Sequence, residues 1–164
     1  MGQPALTLVD ILLRLLCAVG SGAIIGLNRD LHHKGAGLRT FGLVALATAG
    51  VAIGTLYAGS ARPDDLGRVM QGVLTGIGFL GAGVILRRPT SGRVTGLTTA
   101  AAIWFVAGLA LLCGLGEFQL VGLLLTIAML LLLVGRPVER YFERLVGASS
   151  EDDEERRVDD RDST

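Results

Sequence analysis

From Leu31 to Arg136 the charged residues of this chain fall in short clusters, separated by apolar stretches of about twenty residues. A helix rising about 1.5 Å per residue needs about 20 such residues to cross a hydrocarbon core about 30 Å thick. Five segments have that length: 7–27, 38–58, 69–87, 96–114 and 117–135. The spacing predicts an all-α fold, a polytopic bundle of five transmembrane helices. The 24 glycines would weaken soluble helices. In a bilayer they are commoner, because small residues let helix backbones approach.

The formal net charge is zero, but the charges are sorted. Loop 28–39 carries Arg29, Lys34 and Arg39, and loop 87–95 carries Arg87, Arg88 and Arg93. Arg136, Arg140 and Arg144 follow segment five. In the other two connections Arg62 and Arg68 are offset by Asp64 and Asp65, and Glu117 stands alone. Basic residues collect on the cytoplasmic side. The alternation therefore predicts an outside N-terminus, five crossings and a cytoplasmic C-terminus. Segment one has no basic n-region and is too long for a signal-peptide h-region, so it is predicted to be retained.

Segment three, "VMQGVLTGIGFLGAGVIL", carries Gly72, Gly76 and Gly83 on one stripe and Gly78 and Gly81 on the other side. Both faces suit close helix packing, which predicts segment three at the centre. Gly22/Gly26 and Gly50/Gly54 offer matching small-xxx-small pairs in segments one and two. Segment five is nearly all bulky and aliphatic and is predicted to face lipid. Residues 136–147 read as a short amphipathic cytoplasmic helix, and 148–164 as a disordered acidic tail. Cys17 is placed at mid-depth and Cys113 near the outer end of segment four, so both are expected to be packing residues rather than a disulfide.

Asp10 and Arg14 form an i, i+4 pair inside segment one. An intramembrane ionisable pair is either functional or an anchor, and both readings stand. The run "TGIGFLG" has the look of a carbonyl-lined filter, but a packing role already accounts for its glycines. Segments two to five hold no Asp or Glu between their ends, which leaves a carboxylate-based Mg2+ path without ligands. No phosphate-binding loop and no nucleophile–base set is present, and adjacent His32 and His33 point apart. Neither an enzyme, a cofactor, a metal site nor a nucleic-acid partner is expected.

The strongest candidate site is polar and lies at the cytoplasmic ends. Asn28, Arg29 and Asp30 end segment one, Arg39 and Thr40 begin segment two, and Thr98 and Thr99 begin segment four. Capping and snorkelling are the competing explanation. Arg68 and Gln71 form a smaller polar pair at the outer start of segment three.

The blocks "GAIIGLNRD", "AGLRT", "RVMQGVLTGIGFLGAGVIL" and "GLTTAAAIW…CGLGEF" together resemble the membrane domain of the MgtC/SapB family, over about Gly22 to Phe118. The resemblance implies an integral protein of the bacterial inner membrane, linked to growth in low magnesium and, in pathogens, to survival inside host cells. It also implies a regulator acting on membrane partners such as the ATP synthase, rather than a demonstrated transporter. Many members add a cytoplasmic domain after the last helix, and only the membrane domain is expected here. One departure stands out: the family's usual G-x-E-R reads Gly26-Leu27-Asn28-Arg29. The missing acid argues against a cation site there. A homodimer in the lipid bilayer is expected. The leading function is a non-enzymatic regulator tied to Mg2+ homeostasis, and the alternative is a transporter or channel for an ion or small solute.

Overall fold

The computed structural model describes residues 6–57, 63–87, 94–135 and 137. The chain divides into two compact units, Met1–Leu125 and Thr126–Thr164. Helices α1 (Leu8–Asp30), α2 (Leu38–Tyr57), α3 (Pro63–Val84) and α4 (Leu97–Leu115) lie in the first unit. Helix α5 (Phe118–Gly135) starts there, and its second half is the described core of the second unit, apolar and open at Ile127, Leu130 and Leu131. Apart from Pro137, the expected amphipathic helix and acidic tail lie outside the described residues.

Local chemistry sets the helix ends. Thr7 and Asp10 make a reciprocal capping box on α1: Thr7 Oγ1 accepts from the Asp10 amide at 3.2 Å, and Asp10 accepts from the Thr7 amide at 3.0 Å. At the other end of α1 the His33 amide reaches Asp30 O and the Lys34 amide reaches Arg29 O, with His33 at φ +52°. That is a Schellman closure with histidine in the left-handed position that glycine usually takes. The α4 C-terminus closes the same way through Gly116, at φ +87°. Helix α3 begins at Pro63 with Asp64 and Asp65 in its first turn. Proline and acids both suit a helix start, so α3 begins six residues earlier than the apolar run and ends at Val84 rather than 87.

Between α3 and α4 the chain makes a small antiparallel ribbon. Strand β1 (Leu86–Arg87) pairs with β2 (Val94–Thr95) in the register Leu86↔Thr95 and Arg87↔Val94. Gly96, at φ +93°, then turns the ribbon into α4 against the Val84 carbonyl, where a side chain would collide with backbone. The sequence reading expected no strand.

Helix α4 is the centre of the first unit. It packs on α1, α2 and α3, and 56% of its span is buried, against 33% for α2 and 22% for α1. Ala102, Ile103, Val106, Ala107, Leu109 and Ala110 are all buried and form a face about 160° wide, while Trp104 beyond it is 50% exposed. This corrects the expected placement of helix three. Four of its five stripe glycines (Gly72, Gly76, Gly78 and Gly83) have nothing within 4 Å of an added Cβ, and only Gly81 meets α4, at Ala100. Phe79 is 82% exposed. Glycine permits close approach but carries no side-chain area to drive it, so the alanine and branched faces of α4 take the centre.

Four helices, α1, α2, α4 and α5, are long and apolar enough to cross a membrane. Helix α3 is not among them, because Asp64, Asp65, Arg68 and Gln71 occupy its first turns and glycines dilute the rest.

Candidate polar site at the α1–α2 turn

The end of α1 is built from closely spaced backbones. At Gly26 an added Cβ would lie 2.7 Å from Leu38 Cα and 2.9 Å from Leu38 N, so the first turn of α2 rests directly on α1. That contact brings Asp30 beside the start of α2, and Asp30 Oδ2 accepts from the Leu38 amide at 2.9 Å. Gly37 stands at the cap position and has no side-chain oxygen, so Asp30 supplies one from the preceding helix. Asp30→Ala is expected to cost about 1 kcal/mol and Asp30→Asn much less, because the amide keeps an acceptor oxygen. Thermal unfolding followed by circular dichroism in detergent checks both values, and faster amide exchange at Leu38 identifies the cause.

Arg29 takes a different direction. Its side chain is 3% exposed, and its Nη2 donates to Thr99 Oγ1 of α4, itself 5% exposed. The contact is a charge-assisted hydrogen bond inside the bundle, joining the last turn of α1 to the first turn of α4.

The structure therefore resolves the seven-residue polar cluster into separate jobs. Arg29 and Thr99 meet in the interior, and Asp30 caps α2. Asn28 is half-buried, and its backbone carbonyl lies 2.6 Å from His32 Nδ1. Arg39, Thr40 and Thr98 are exposed at the same end and do not join the buried contact. Arg68 and Gln71 are both exposed on α3.

Asp10 and Arg14 also part company. Asp10 serves the α1 cap, while Arg14 Nη1 donates to the Gly114 carbonyl of α4 at 2.6 Å. The last carbonyls of a helix lack intrahelical donors and carry the negative end of its dipole, which suits a guanidinium. Gly116 makes the space: a Cβ there would sit 2.9 Å from Arg14 Nη2.

Two residues the sequence reading separated are neighbours. Cys17 and Cys113 lie with their sulfurs 3.6 Å apart, both as free thiols. The expectation of different depths assumed that the helices start and stop flush. In fact α1 runs past the end of α4, so its tenth residue lies beside the third from last of α4. Among the described residues no three His, Cys, Asp or Glu side chains converge in a way that could hold a metal ion.

The structure thus gives several residues of the quoted sequence blocks a contact: Gly26 backs onto α2, Arg29 enters the bundle, and Gly96 and Thr99 open α4. Comparison with known proteins places the chain. Residues 15–141 match the model of the MgtC family. Protein SrpB of Synechococcus elongatus is 47% identical over 132 residues, covering 74% of this chain and 72% of the relative. Protein MgtC of Salmonella typhimurium is 46% identical over 108 residues, covering 66% of this chain and 45% of the relative. Protein SapB of Bacillus subtilis is 39% identical over 116 residues, covering 67% of this chain and 50% of the relative. The matched region thus spans about half the length of the MgtC and SapB relatives. No solved structure matches. With four apolar helices able to cross a bilayer and a family match over most of its length, this chain is a multi-pass membrane protein and belongs to the MgtC family.

Proposed function

We propose that this protein is a non-enzymatic component of the bacterial inner membrane that supports growth in low Mg2+ by seating a partner membrane helix against α3. The Mg2+ link rests on the family. The mode of action rests on one observation: α3 leaves Gly72, Gly76, Gly78 and Gly83 open while its neighbour α4 buries more than half of its span. Open glycines let a second backbone approach, and the exposed Phe79 and Leu80 beside them supply apolar area. The partner is a second copy or another membrane complex, such as the ATP synthase. In this reading α3 crosses the bilayer as the fifth span, the N-terminus is outside, and the C-terminus is cytoplasmic. The shared end of the α1–α2 and α3–α4 turns supports that orientation, because Arg29, Lys34, Arg39 and Arg87 collect there.

The test uses a bacterial strain that lacks a family member and grows poorly in low Mg2+. The intact chain is expected to restore growth. Gly76→Leu is expected to fail while melting like the parent, since nothing within 4 Å opposes the new side chain. Liposomes holding the pure protein and a Mg2+ indicator are expected to show no flux above protein-free liposomes. Mg2+ entry into those liposomes, or full growth with Gly76→Leu, would replace this reading with transport or remove α3 from it.

A further inference from the structure

The α1–α4 seam carries a chemistry that the polar site does not use. Arg14, Cys17 and Ser21 recur on α1 at three- and four-residue spacing, so they share one face. Opposite them α4 presents Cys113 and Gly114. The Arg14 bond to the Gly114 carbonyl fixes the register of the two helices one turn away from the cysteines. In that register Cys113 donates its thiol hydrogen to Cys17 Sγ across 3.6 Å, a contact between residues 96 apart in sequence. The two thiols differ in access. Cys113 is fully buried, while Cys17 is half-buried.

Two sulfurs in contact on different helices need to close by about 1.5 Å to reach the bond length of a disulfide. Rotation of each side chain about its single χ1 is the motion that brings the sulfurs together. Because both helices are apolar enough to lie in a bilayer, an oxidant that reaches the pair must itself be apolar.

We propose that Cys17 and Cys113 form an oxidisable dithiol that closes to a disulfide between α1 and α4, with an apolar disulfide compound as its two-electron oxidant. The more accessible Cys17 loses its proton and attacks one sulfur of the oxidant. The oxidant's S–S bond breaks and its first half leaves as a thiol. Cys113 then attacks the Cys17 sulfur of the mixed disulfide, gives up its own proton, and expels the second half as a thiol. Two protein thiols are oxidised and one disulfide compound is reduced to two thiols. The new bond ties α1 to α4 near the Arg14 contact, at the opposite end of the seam from Arg29 and Thr99. Oxidation therefore pins α1 to α4 at both ends.

The probe is 4,4′-dithiodipyridine, a neutral aromatic disulfide, added to the full chain in detergent micelles. Thiopyridone release is read by absorbance and the product by intact mass. The parent is expected to release two thiopyridones per chain, lose two hydrogens in mass, and retain no pyridylthio group. Cys113→Ser is expected to stop at a stable single adduct on Cys17, and Cys113→Ala is a second variant should the serine not fold. Cys17→Ser is expected to react about tenfold more slowly, since only the buried thiol remains. A parent that stays reduced, keeps one or two pyridylthio groups, or crosslinks between chains would overturn the proposal.

Discussion

Gly22→Val is expected to unfold this protein under conditions where Gly20→Val, two residues away on the same helix, leaves it intact. At Gly22 an added Cβ would lie 2.7 Å from the Phe41 carbonyl oxygen, 3.0 Å from Ala45 Cβ and 3.1 Å from the Phe41 carbonyl carbon. The first and last of these are backbone atoms of α2, which cannot rotate away. Phe41 and Ala45 are fully buried, so there is no empty space behind them to receive a displaced turn. The only relief is to move α1 off α2, which opens the Gly26–Leu38 contact and pulls Asp30 from the Leu38 amide. Overpacking of this kind costs about 3 kcal/mol or more, a loss of over a hundredfold in the folded-to-unfolded ratio. Gly20 has nothing within 4 Å of an added Cβ, and valine is a better helix former than glycine, so Gly20→Val is expected to be neutral or slightly stabilising. Thermal or denaturant unfolding in detergent measures the difference. Equal melting of the two variants would mean that α1 and α2 are not in backbone contact at Gly22.

The bilayer explains why so much of the fold can be read from residue order. It penalises unpaired charge over about 20 residues, so the helices stand out as long runs with few charges. The same solvent hides their arrangement. Lipid is as apolar as leucine, so hydrophobicity does not tell a buried helix face from a lipid-facing one. Gly72 and Gly76 look suited to the centre, yet they line open space while Ala102 and Ala107 are buried. One stripe was readable. Arg14, Cys17, Ser21, Ile25 and Arg29 fall within about 120° of the α1 circumference at 100° per residue. A polar line on an otherwise apolar helix marks the face that meets protein, and this one meets α4 at both ends. The polar cluster at the turn was legible as a group at one level, but its pairing was not. Thr98 and Thr99 point about 100° apart, and the rotation of α4 decides that Thr99 receives Arg29. Asp30 reads as another interfacial charge until the close approach at Gly26 brings Leu38 within its reach. The stagger that joins Cys17 to Cys113 depends on how far α1 extends past the end of α4, an offset between two helices that the apolar run of neither one records.

The second large effect is expected at the buried contact between α1 and α4, and its sign pattern is unusual. Thr99→Val keeps the shape of the side chain and removes its oxygen. Arg29 then keeps its charge in a site where it is only 3% exposed and has lost an acceptor. The setting makes the loss worse, because Thr99 lies in the first turn of α4, where the helix dipole repels a cation. Hydrogen bonds to charged groups are worth about 1.5–3 kcal/mol, so Thr99→Val is expected to cost about 2 kcal/mol. Arg29→Met removes the charge itself. The Thr99 hydroxyl left behind can turn back to a carbonyl of its own chain, an option open to Thr in a helix but not to a guanidinium held in place. Adding Arg29→Met to Thr99→Val is therefore expected to restore stability rather than lower it further, with a coupling of about 1–2 kcal/mol in a double-mutant cycle. Unfolding of the parent, both single variants and the double variant in the same detergent gives that coupling directly. Additive losses, or a Thr99→Val variant as stable as the parent, would mean that the guanidinium is held from elsewhere and that the α1–α4 contact is packing alone. A restored double variant would show that the buried arginine is a cost this fold carries, which moves the question of its value from stability to the protein's work in the membrane.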